Sequence, residues 1–472
     1  FTQRFYLYLI MTKSAEKLYM SYAVKNSEGA ALMPSYIIRS MRKMFSHCLK
    51  LSYKDTAQQN SYVTIPRAAN SFDNTEIAAN VDEDIIDSLT GGRLVGSVTS
   101  FENLAEWPLR YYLRYGVDLK EREEFTFSPV NFGVVLHAVI REVCDEIKKN
   151  GESYYLISEE KRREMVKRSV AAITDIYQNS ILKDSSRNSF MIKRMEDLAD
   201  RTVWAMGEQL KCGDFVPFVF EHKFNMEVGD GDRKQLMSGT IDRVDICENG
   251  TDVYVRIIDY KTGKKDFNIV KTYYGIDIQL MVYMEAAMKL VAKMRPGKNV
   301  IPAGVFYYNI SDPIVYSTTE SAEEIEDKIK GELRLKGMVN SDKDIAEKMD
   351  NNEGTSLNIP VSRKADGGFD SRRSKVMNTE QFNMLGRFVD VRAVDTADRI
   401  AGGDIRRSPF KDGLFSRCDR WPYGAVCGFS VDLPGCNYRK LKKFDDEVLW
   451  NNIKEGVDEN GKKMDTGAEE RD

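Results

Sequence analysis

Two acids and a lysine stand at strand positions whose side chains should face the core. In residues 251–263, TDVYVRIIDYKTG, Asp259 and Lys261 share a face with the aliphatic side chains before them, because successive side chains of a strand point to opposite faces. In the preceding strand, Asp242 shares a face with aliphatic residues in the same way. These three charged residues are therefore candidates for chemistry at the edge of an apolar face.

The connection between the two strands predicts that their acids meet. The strands are joined by the sequence ENG, whose Asn-Gly pair favours a tight hairpin turn, and this hairpin can bring Asp242 beside Asp259. Two carboxylates at such an edge repel each other and raise each other's pKa unless a cation lies between them. A hard divalent cation, Mg²⁺ or Mn²⁺, resolves the conflict because it prefers oxygen ligands.

Lys261 adds what hydrolysis at such a site requires. Two residues beyond Asp259, its ammonium points into the same space and can hold or polarise a metal-bound water. The cation lowers the pKa of that water from about 15.7 towards neutrality, and phosphodiester hydrolysis needs this nucleophile and a positive charge facing the phosphorus. The alternative interpretation is that the three residues are solvated charges at strand ends, since the D…DxK spacing is common.

Further polar residues lie in order around the hairpin. Glu221 belongs to the preceding strand, and Gln279 and Tyr283, four residues apart, share one face of the following helix. His137 lies upstream in the helix predicted over residues 128–149, where a core histidine is the alternative interpretation. The candidate site therefore draws on strands and helices that are far apart in the sequence.

The elements that position these residues change from helical to strand periodicity along the chain. Antiparallel strands followed by a helix and another strand predict an α/β sandwich with one mixed sheet. Helices are predicted over residues 128–149, 158–211 and 276–294, and strands over residues 216–228, 235–247, 251–263 and 302–310.

Composition divides the chain into four parts. We expect a folded start with one strand and two helices, a polar linker, a main domain that contains a polar and mobile insertion, and a disordered acidic tail. Because the chain begins at Phe1 rather than Met, we expect it to be a piece of a longer polypeptide. The four parts cover residues 1–55 (strand 4–11, helices 13–24 and 35–45), 56–97, 98–445 (insertion at about 350–383) and 446–472.

Composition and charge restrict the class of protein. With 472 residues and 42% hydrophobic content, the chain can bury a large core. Its early apolar run, FYLYLIMT, is too short to span a bilayer, so we expect no membrane association. Seven dispersed cysteines are typical of a reducing, cytoplasmic environment. The net charge of −4 argues against nucleic acid binding unless basic residues cluster. Such clusters occur in KRREMVKR, SRRSK and YRKLKK. The alternative interpretation of each is a solvated helix face, which has the same composition.

Together these residues resemble the RecB-like branch of the PD-(D/E)XK nuclease superfamily. The matching motifs are GVVLH, GTIDRVD, IIDYKTG and QLMVY, in the order and at the separations of that branch. The resemblance implies a nuclease core with a mixed central sheet flanked by helices, and with helical insertions. It implies metal binding by His137, Asp242, Asp259 and the backbone carbonyl of Tyr260, catalysis by Lys261, support of the site and the DNA by Gln279 and Tyr283, and an earlier-strand acid at Glu221.

A narrower resemblance covers almost the whole chain. The segments RFYLYLIMTKSAEKLYMSYAV, FENLAEWPLRYYLRYG, PAGVFYYNISDP and RCDRWPYGAVCGFSVDLPGCNYRKL are similar to the AddB family, whose members are subunits of the AddAB helicase-nucleases. This implies that residues 1–55 end an inactive helicase-like α/β domain. It also implies a nuclease domain that degrades single-stranded DNA, the 5'-ended strand, in double-strand break repair by recombination, while an AddA-like partner supplies the ATP-driven movement. The sequence has no G-x-x-x-x-G-K-[ST] motif, so we expect no ATPase site.

The cysteines depart from the AddB pattern. AddB proteins hold a [4Fe-4S] cluster with four cysteines, of which Cys418 and Cys427 match two, whereas Trp107 and Trp421 stand at the other two positions. Two thiolates do not form the usual four-cysteine cage. The alternatives are a cluster with Cys436 as substitute ligand, two tryptophans packed in place of the cluster, a sequencing or codon-assignment error, and a zinc site of three cysteines.

Two other functions compete with a DNA exonuclease. A non-catalytic interaction module would explain the missing cluster cysteines as decay, but Asp242, Asp259 and Lys261 are all present. A different RecB-like nuclease, for example a CRISPR-associated one, is disfavoured by the helicase-like start and the AddB-like C-terminal segment. The sequence therefore predicts a Mg²⁺-dependent exonuclease domain of an AddB-like subunit.

Overall fold

The described part of the chain covers most of the predicted main domain. The structure is a computed structural model in which Phe1–Asn74 and Thr75–Asp472 form separate units. In the first unit, helix α1 (Tyr36–Met44) confirms the helix predicted at 35–45, whereas the strand predicted at 4–11 and nearly all of the helix predicted at 13–24 lie outside the described residues. The structure describes residues 20, 22, 32–33, 35–44, 80–82, 84–86, 95–120, 129–176, 186–228, 235–316, 321–413, 415–416, 418, 421–431 and 436–468.

The alternating segments of the second unit form the predicted strands. The strands are β1 (Val95–Ser97), β2 (Val216–Val228), β3 (Gln235–Asn249), β4 (Asp252–Lys261), β5 (Asn299–Asn309), β6 (Lys336–Asn340), β7 (Val376–Met377), β8 (Phe410–Asp412), β9 (Phe415–Ser416) and β10 (Arg439–Lys440). β3 and β4 form an antiparallel hairpin, and β4 pairs in parallel with β5. At the hairpin turn Gly250 has a φ of 59°, which glycine adopts without steric cost. The predicted mixed sheet is therefore confirmed.

Helices cover both faces of this sheet. They are α2 (Val98–Glu106), α3 (Pro108–Tyr111), α4 (Pro129–Lys149), α5 (Glu159–Ile176), α6 (Ser186–Lys211), α7 (Ile269–Tyr273), α8 (Gln279–Met294), α9 (Ala322–Glu332), α10 (Lys343–Met349), α11 (Thr379–Ala401), α12 (Gly424–Cys427) and α13 (Asp446–Ala468). α5 and α6 account for the helical stretch predicted at 158–211, apart from residues 177–185, which the structure does not describe. Among the described residues, no helix combines the length and apolar character needed to cross a bilayer.

The alternation along β4 divides the protein into two cores. Val255 and Ile257 belong to a core with residues of α8 and α11, whereas Ile258 and Tyr260 belong to a core with residues of α4, α5 and α6. Because both faces of the sheet are covered, any charged side chain in the middle of the hairpin must be compensated inside the protein.

Three predictions about loops and ends are wrong in part. Val95–Ser97, at the end of the predicted linker 56–97, form β1, a strand too short for its alternation to show. In the predicted mobile insertion at 350–383, Ile359 and Val361 are buried in a core, and Asp350 orders the polar sequence by accepting hydrogen bonds from serine and asparagine side chains. The predicted disordered tail is helical in α13, where Leu449 and Ile453, spaced by four residues, are buried.

Candidate active site

The hairpin of β3 and β4 places Asp242 and Asp259 side by side; we call these two residues the acid pair. Arg243 lies opposite Ile258 in the antiparallel register, so the next residues along, Asp242 and Asp259, face each other across the strands. The backbone N–H of Tyr260 donates a 2.7 Å hydrogen bond to Asp242 Oδ2. Both acids are buried, with 7% and 2% of their surfaces exposed.

Burial and like charge both act on Asp259. Burial, followed by the charge of Asp242, raises the pKa of Asp259 to about 7, although Lys261 acts in the opposite direction. Lys261 Nζ lies 2.5 Å from Asp259 Oδ2. Burial alone lowers the pKa of Lys261, but its contact with Asp259 leaves that pKa raised, so the amine keeps its positive charge. The acid pair is thus a site that favours a further cation.

His137 and Glu221 extend this site towards α4 and β2. His137 Nδ1 lies 3.5 Å from Asp242 Oδ2 and 3.8 Å from Glu221 Oε1. Burial lowers the pKa of His137, but hydrogen bonds to Asp242 and Glu221 raise it to about 10. Without a metal, the proton on this imidazolium therefore offsets the negative charge of the two carboxylates.

The backbone of Glu221 is strained where it reaches the site. Its φ is 48°, in the left-handed region that a residue with a side chain rarely adopts, and such a conformation costs about 1–3 kcal/mol. Glu221 lies in β2 between Phe220, paired with Arg243, and His222, paired with Ile241, so it is adjacent to Asp242. Strain of this kind is typical of residues held in place for a function.

The donor atoms fit a hard divalent cation. Among the described residues, His137, Glu221 and Asp242 form a group whose ligand atoms all lie within 4.8 Å of one another. Carboxylate oxygens with one imidazole are suitable ligands for Mg²⁺ or Mn²⁺. Two predicted ligands are not in this group. Asp259 faces Asp242 across the hairpin and forms an ion pair with Lys261. Tyr260 contacts Asp242 through its backbone N–H.

Gln279 and Tyr283 lie at the start of α8, close to the acids. Gln279 Nε2 donates a 2.8 Å hydrogen bond to Tyr283 OH, and both residues are buried. Burial, followed by the charge of Asp259, raises the pKa of Tyr283, so its hydroxyl keeps its proton. The structure therefore brings both predicted helix residues to the site.

The sequence reasoning missed a second polar group beside the acid pair. Lys265 Nζ lies 3.0 Å from Asp277 Oδ1, and Tyr307 OH donates a 2.8 Å hydrogen bond to the same oxygen. The charge of Glu102 raises the pKa of Lys261. The lysine-rich sequence KTGKK could have indicated Lys265, but Glu102 and Asp277 stand in segments with no pattern that links them to the hairpin.

The opposite face of the same hairpin carries a second charged group, which we call the arginine cluster (Arg243, Asp245 and Arg256). Arg243 donates two hydrogen bonds to Asp245, of 2.7 and 2.6 Å, and Arg256 Nε donates one of 2.8 Å. All three side chains are essentially inaccessible to solvent. Burial raises the pKa of Asp245, but the two guanidinium groups lower it below its ordinary value.

The region predicted for the iron–sulfur cluster contains aromatic contacts instead. The rings of Trp107 and Trp421 meet edge to face, with centroids 4.9 Å apart, and Trp107 is buried. Burial raises the pKa of Cys427 to about 11, so its thiol is protonated in the metal-free protein. Within the part of the chain that the structure describes, no cysteine belongs to a group that could hold a metal ion. These residues do not fit a four-cysteine cluster.

A comparison with protein families identifies the large unit. The family model described as the PD-(D/E)XK nuclease superfamily matches residues 96–428, which span β1 to α12. This range includes the acid pair, Lys261, His137 and Glu221.

Comparison with curated proteins extends the similarity over nearly the whole chain. The chain is similar to proteins named as B subunits of ATP-dependent helicase/deoxyribonucleases in Clostridium acetobutylicum (30% identity, 97% of this chain, 44% of the relative) and Caldanaerobacter subterraneus (30%, 100% and 45%). A protein of the same name in Lachnoclostridium phytofermentans is similar to the same degree (30%, 99% and 44%). The chain therefore spans less than half of the length of these relatives.

Proposed function

The chain belongs to the PD-(D/E)XK nuclease superfamily, and from this premise we propose that it hydrolyses the phosphodiester bonds of DNA with a bound Mg²⁺ or Mn²⁺ ion. The observation that carries the proposal is the hairpin, where two buried acids face each other and Lys261 Nζ lies 2.5 Å from Asp259 Oδ2. A buried acid whose pKa is raised by burial and by a second acid, next to a charged amine, is typical of a catalytic site.

The proposed ligands come from the elements that meet at this hairpin. His137, Asp242, Asp259 and the backbone carbonyl of Tyr260 would hold the cation, and Glu221 would add a carboxylate beside His137. When bound, the cation would supply positive charge to the phosphate and lower the pKa of a coordinated water. Because His137 carries a proton in the metal-free protein, binding must release that proton.

The neighbouring residues would orient the substrate and stabilise its charge. Lys261 keeps its proton, so its ammonium can offset the negative charge that develops on the phosphate. Tyr283 also keeps its proton and remains a hydrogen-bond donor, and Gln279 fixes the position of its hydroxyl. These residues act through position and charge, which together provide most of the catalysis of phosphate ester cleavage.

We propose single-stranded DNA, cut on its 5'-ended strand, as the substrate, and an AddA-like helicase-nuclease as the partner that unwinds the duplex. The similarity to proteins named as B subunits of ATP-dependent helicase/deoxyribonucleases supports DNA as the substrate and a partner subunit of a helicase-nuclease. The single strand and its polarity rest on the resemblance of the sequence to the AddB family. The process served would be double-strand break repair by recombination. Because such a domain grips phosphates, we expect DNA binding to weaken steeply with salt and to show little base preference.

The test is cleavage of single-stranded oligonucleotides labelled at the 5' or the 3' end, with Mg²⁺ or with EDTA. We expect cleavage only with Mg²⁺. Asp259→Ala and Lys261→Ala should each reduce it at least about 1,000-fold, since metal and charge stabilisation contribute several kcal/mol. Lys293→Ala removes an exposed lysine near the far end of α8 and should leave the rate unchanged.

Equal rates in the wild type, Asp259→Ala and Lys261→Ala would contradict the proposal, because the cleavage would then come from a contaminant. A folded wild type that binds its AddA-like partner and yet cuts no DNA would favour the non-catalytic interaction module. The position of the label in the first products decides the strand polarity.

We also propose that the chain holds no [4Fe-4S] cluster, because Trp107 and Trp421 contact each other at two of the four ligand positions. Iron and sulfide analysis of protein purified without oxygen should find neither in stoichiometric amount. The double variant Trp107→Cys with Trp421→Cys restores the four-cysteine spacing and should gain both. Stoichiometric iron and sulfide in the wild type would contradict the proposal.

A further inference from the structure

We propose that Glu102 is a positioning residue of the active site, which holds the first turn of α8 so that Gln279 and Tyr283 face the acid pair. This inference rests on the proposed nuclease function. Glu102 belongs to α2 and lies outside the motifs around the hairpin. Its contacts link α2, near the start of the domain, to the first turn of α8.

The contacts of Glu102 end on the backbone of α8. Its Oε1 accepts hydrogen bonds from the N–H of Ile278 at 2.9 Å and from the N–H of Gln279 at 3.0 Å. The first N–H groups of a helix have no partner within the helix, and Ile278, at the N-cap, makes no side-chain cap. Glu102 therefore caps α8 from a different helix, and its negative charge also suits the positive end of the helix dipole.

The capped turn carries the residues that reach the site. The side chain of Gln279 donates to Tyr283 OH one helical turn further on, and the charge of Asp259 acts on Tyr283. A shift of the Gln279 backbone would move this hydrogen-bonded pair away from the acid pair. Misplacement of a substrate-positioning group by about 1 Å can reduce a rate about 100-fold.

Charged and polar groups from several elements surround Glu102. Lys265 and Asp277 act on it, and its own charge acts on Lys261 and Tyr283. Burial raises the pKa of Glu102 to about 7, while Lys265 and the two backbone N–H groups act to lower it. Glu102 is therefore an acceptor for α8 by its geometry, within a network that includes Lys261.

The test compares substitutions that keep or remove the acceptor. Glu102→Gln keeps an oxygen that can accept both N–H groups, whereas Glu102→Ala removes it and Glu102→Asp withdraws it by one methylene. We expect kcat to fall about 10- to 100-fold in the alanine variant, to fall in the aspartate variant as well, and to stay within about 3-fold in the glutamine variant. The Kd for Mg²⁺ and the KM should change little. The control is Glu106→Ala on the same helix, whose side chain pairs with Arg110, and it should keep the wild-type kcat.

A second measurement does not depend on activity. Amide hydrogen exchange of Ile278 and Gln279 should accelerate at least about 10-fold in Glu102→Ala, because the protecting hydrogen bonds are lost, and should remain slow in Glu102→Gln. If these amides stay protected in Glu102→Ala, or if a folded Glu102→Ala enzyme keeps its full kcat, the positioning role is wrong. An inactive wild type with the expected exchange pattern would instead reject the nuclease function and leave the capping of α8 in place.

Discussion

The two faces of the β3–β4 hairpin carry buried charged groups that differ in how their charge is compensated. On one face, the arginine cluster gives Asp245 three hydrogen bonds from two guanidinium groups. On the other face, Asp242 and Asp259 lie next to each other, and Lys261 is the ammonium that contacts Asp259. Both groups are buried in the same sheet, one to three residues apart in the sequence.

The direction of the pKa shifts separates the two groups. The pKa of Asp245 is lowered because two guanidinium groups outweigh its burial, whereas that of Asp259 is raised to about 7 by burial and by Asp242. An acid whose pKa is lowered is fully compensated within the fold and has a structural role. An acid whose pKa is raised by a second acid lies in a site that favours a cation from outside, and such sites are typically functional.

The largest expected difference between the two faces is in stability. Asp245→Asn should lower the free energy of unfolding of the metal-free protein by about 3–5 kcal/mol, because it leaves two buried guanidinium groups without their carboxylate. Asp259→Asn should cause a much smaller loss, since the repulsion from Asp242 that it removes offsets the ion pair with Lys261 that it also removes, yet it should abolish cleavage. Urea denaturation followed by circular dichroism measures the first quantity, and the oligonucleotide assay measures the second.

A matched control in the same hairpin defines what would contradict this difference. Asp252→Asn changes an acid at the far end of β4 that pairs with Asn299, and it should alter neither stability nor cleavage appreciably. If Asp259→Asn destabilised the protein as much as Asp245→Asn, the acid pair would be a structural group and the distinction between the faces would fail.

The sequence predicts the acid pair better than it predicts the arginine cluster. Alternation and the Asn-Gly turn are local properties, so they indicate that Asp242 and Asp259 share a face. The arginine cluster lies on the other face of the hairpin, which packs against α4, α5 and α6. These helices are far from the hairpin in the sequence, so no local pattern predicts which charged side chains are buried against them. In the sequence IDRVDIC the acid of the proposed site, Asp242, and the acid of the arginine cluster, Asp245, have the same appearance.

Long-range contacts set the limit of prediction elsewhere too. Glu102 meets α8 across 176 residues of sequence, and Glu221, with its φ of 48°, is adjacent to Asp242 only through the pairing of β2 with β3. The acidic tail was predicted to be disordered from its charge, although Leu449 and Ile453 have the four-residue spacing that seats α13. Composition conceals a short apolar stripe because it averages over the whole segment.

The stabilisation of the protein by Mg²⁺ should depend on the acid pair and not on the arginine cluster. With Mg²⁺ at about 100 times its dissociation constant, the free energy of unfolding of the wild type should rise by about 2.7 kcal/mol, because the ion binds only the folded state. Asp242→Asn should lose this gain, since it removes a ligand oxygen, whereas Arg256→Met should retain it. Thermal unfolding with EDTA and with increasing Mg²⁺ measures the gain in each variant.

The contradictory outcome is an equal Mg²⁺-dependent gain in the wild type and in Asp242→Asn. It would show that the ion binds away from the hairpin. Because the proposed ligand His137 would release its proton when the ion binds, the Mg²⁺ affinity of the wild type should also increase with pH.

The smallest expected difference is in the pH dependence of the metal-free protein. The pKa of Asp259 rises on folding from an ordinary value of 3.8 to about 7, so between these values the folded state binds more protons than the unfolded state, and stability falls as pH increases. Between pH 5 and 8.5 in EDTA, Asp259→Asn should reduce the decline by roughly 1–3 kcal/mol. A decline remains, because Glu102 and His137 also have raised pKa values. Lys293→Ala, which changes an exposed lysine near the far end of α8, should keep the full decline. An unchanged decline in Asp259→Asn would show that its acid is already compensated.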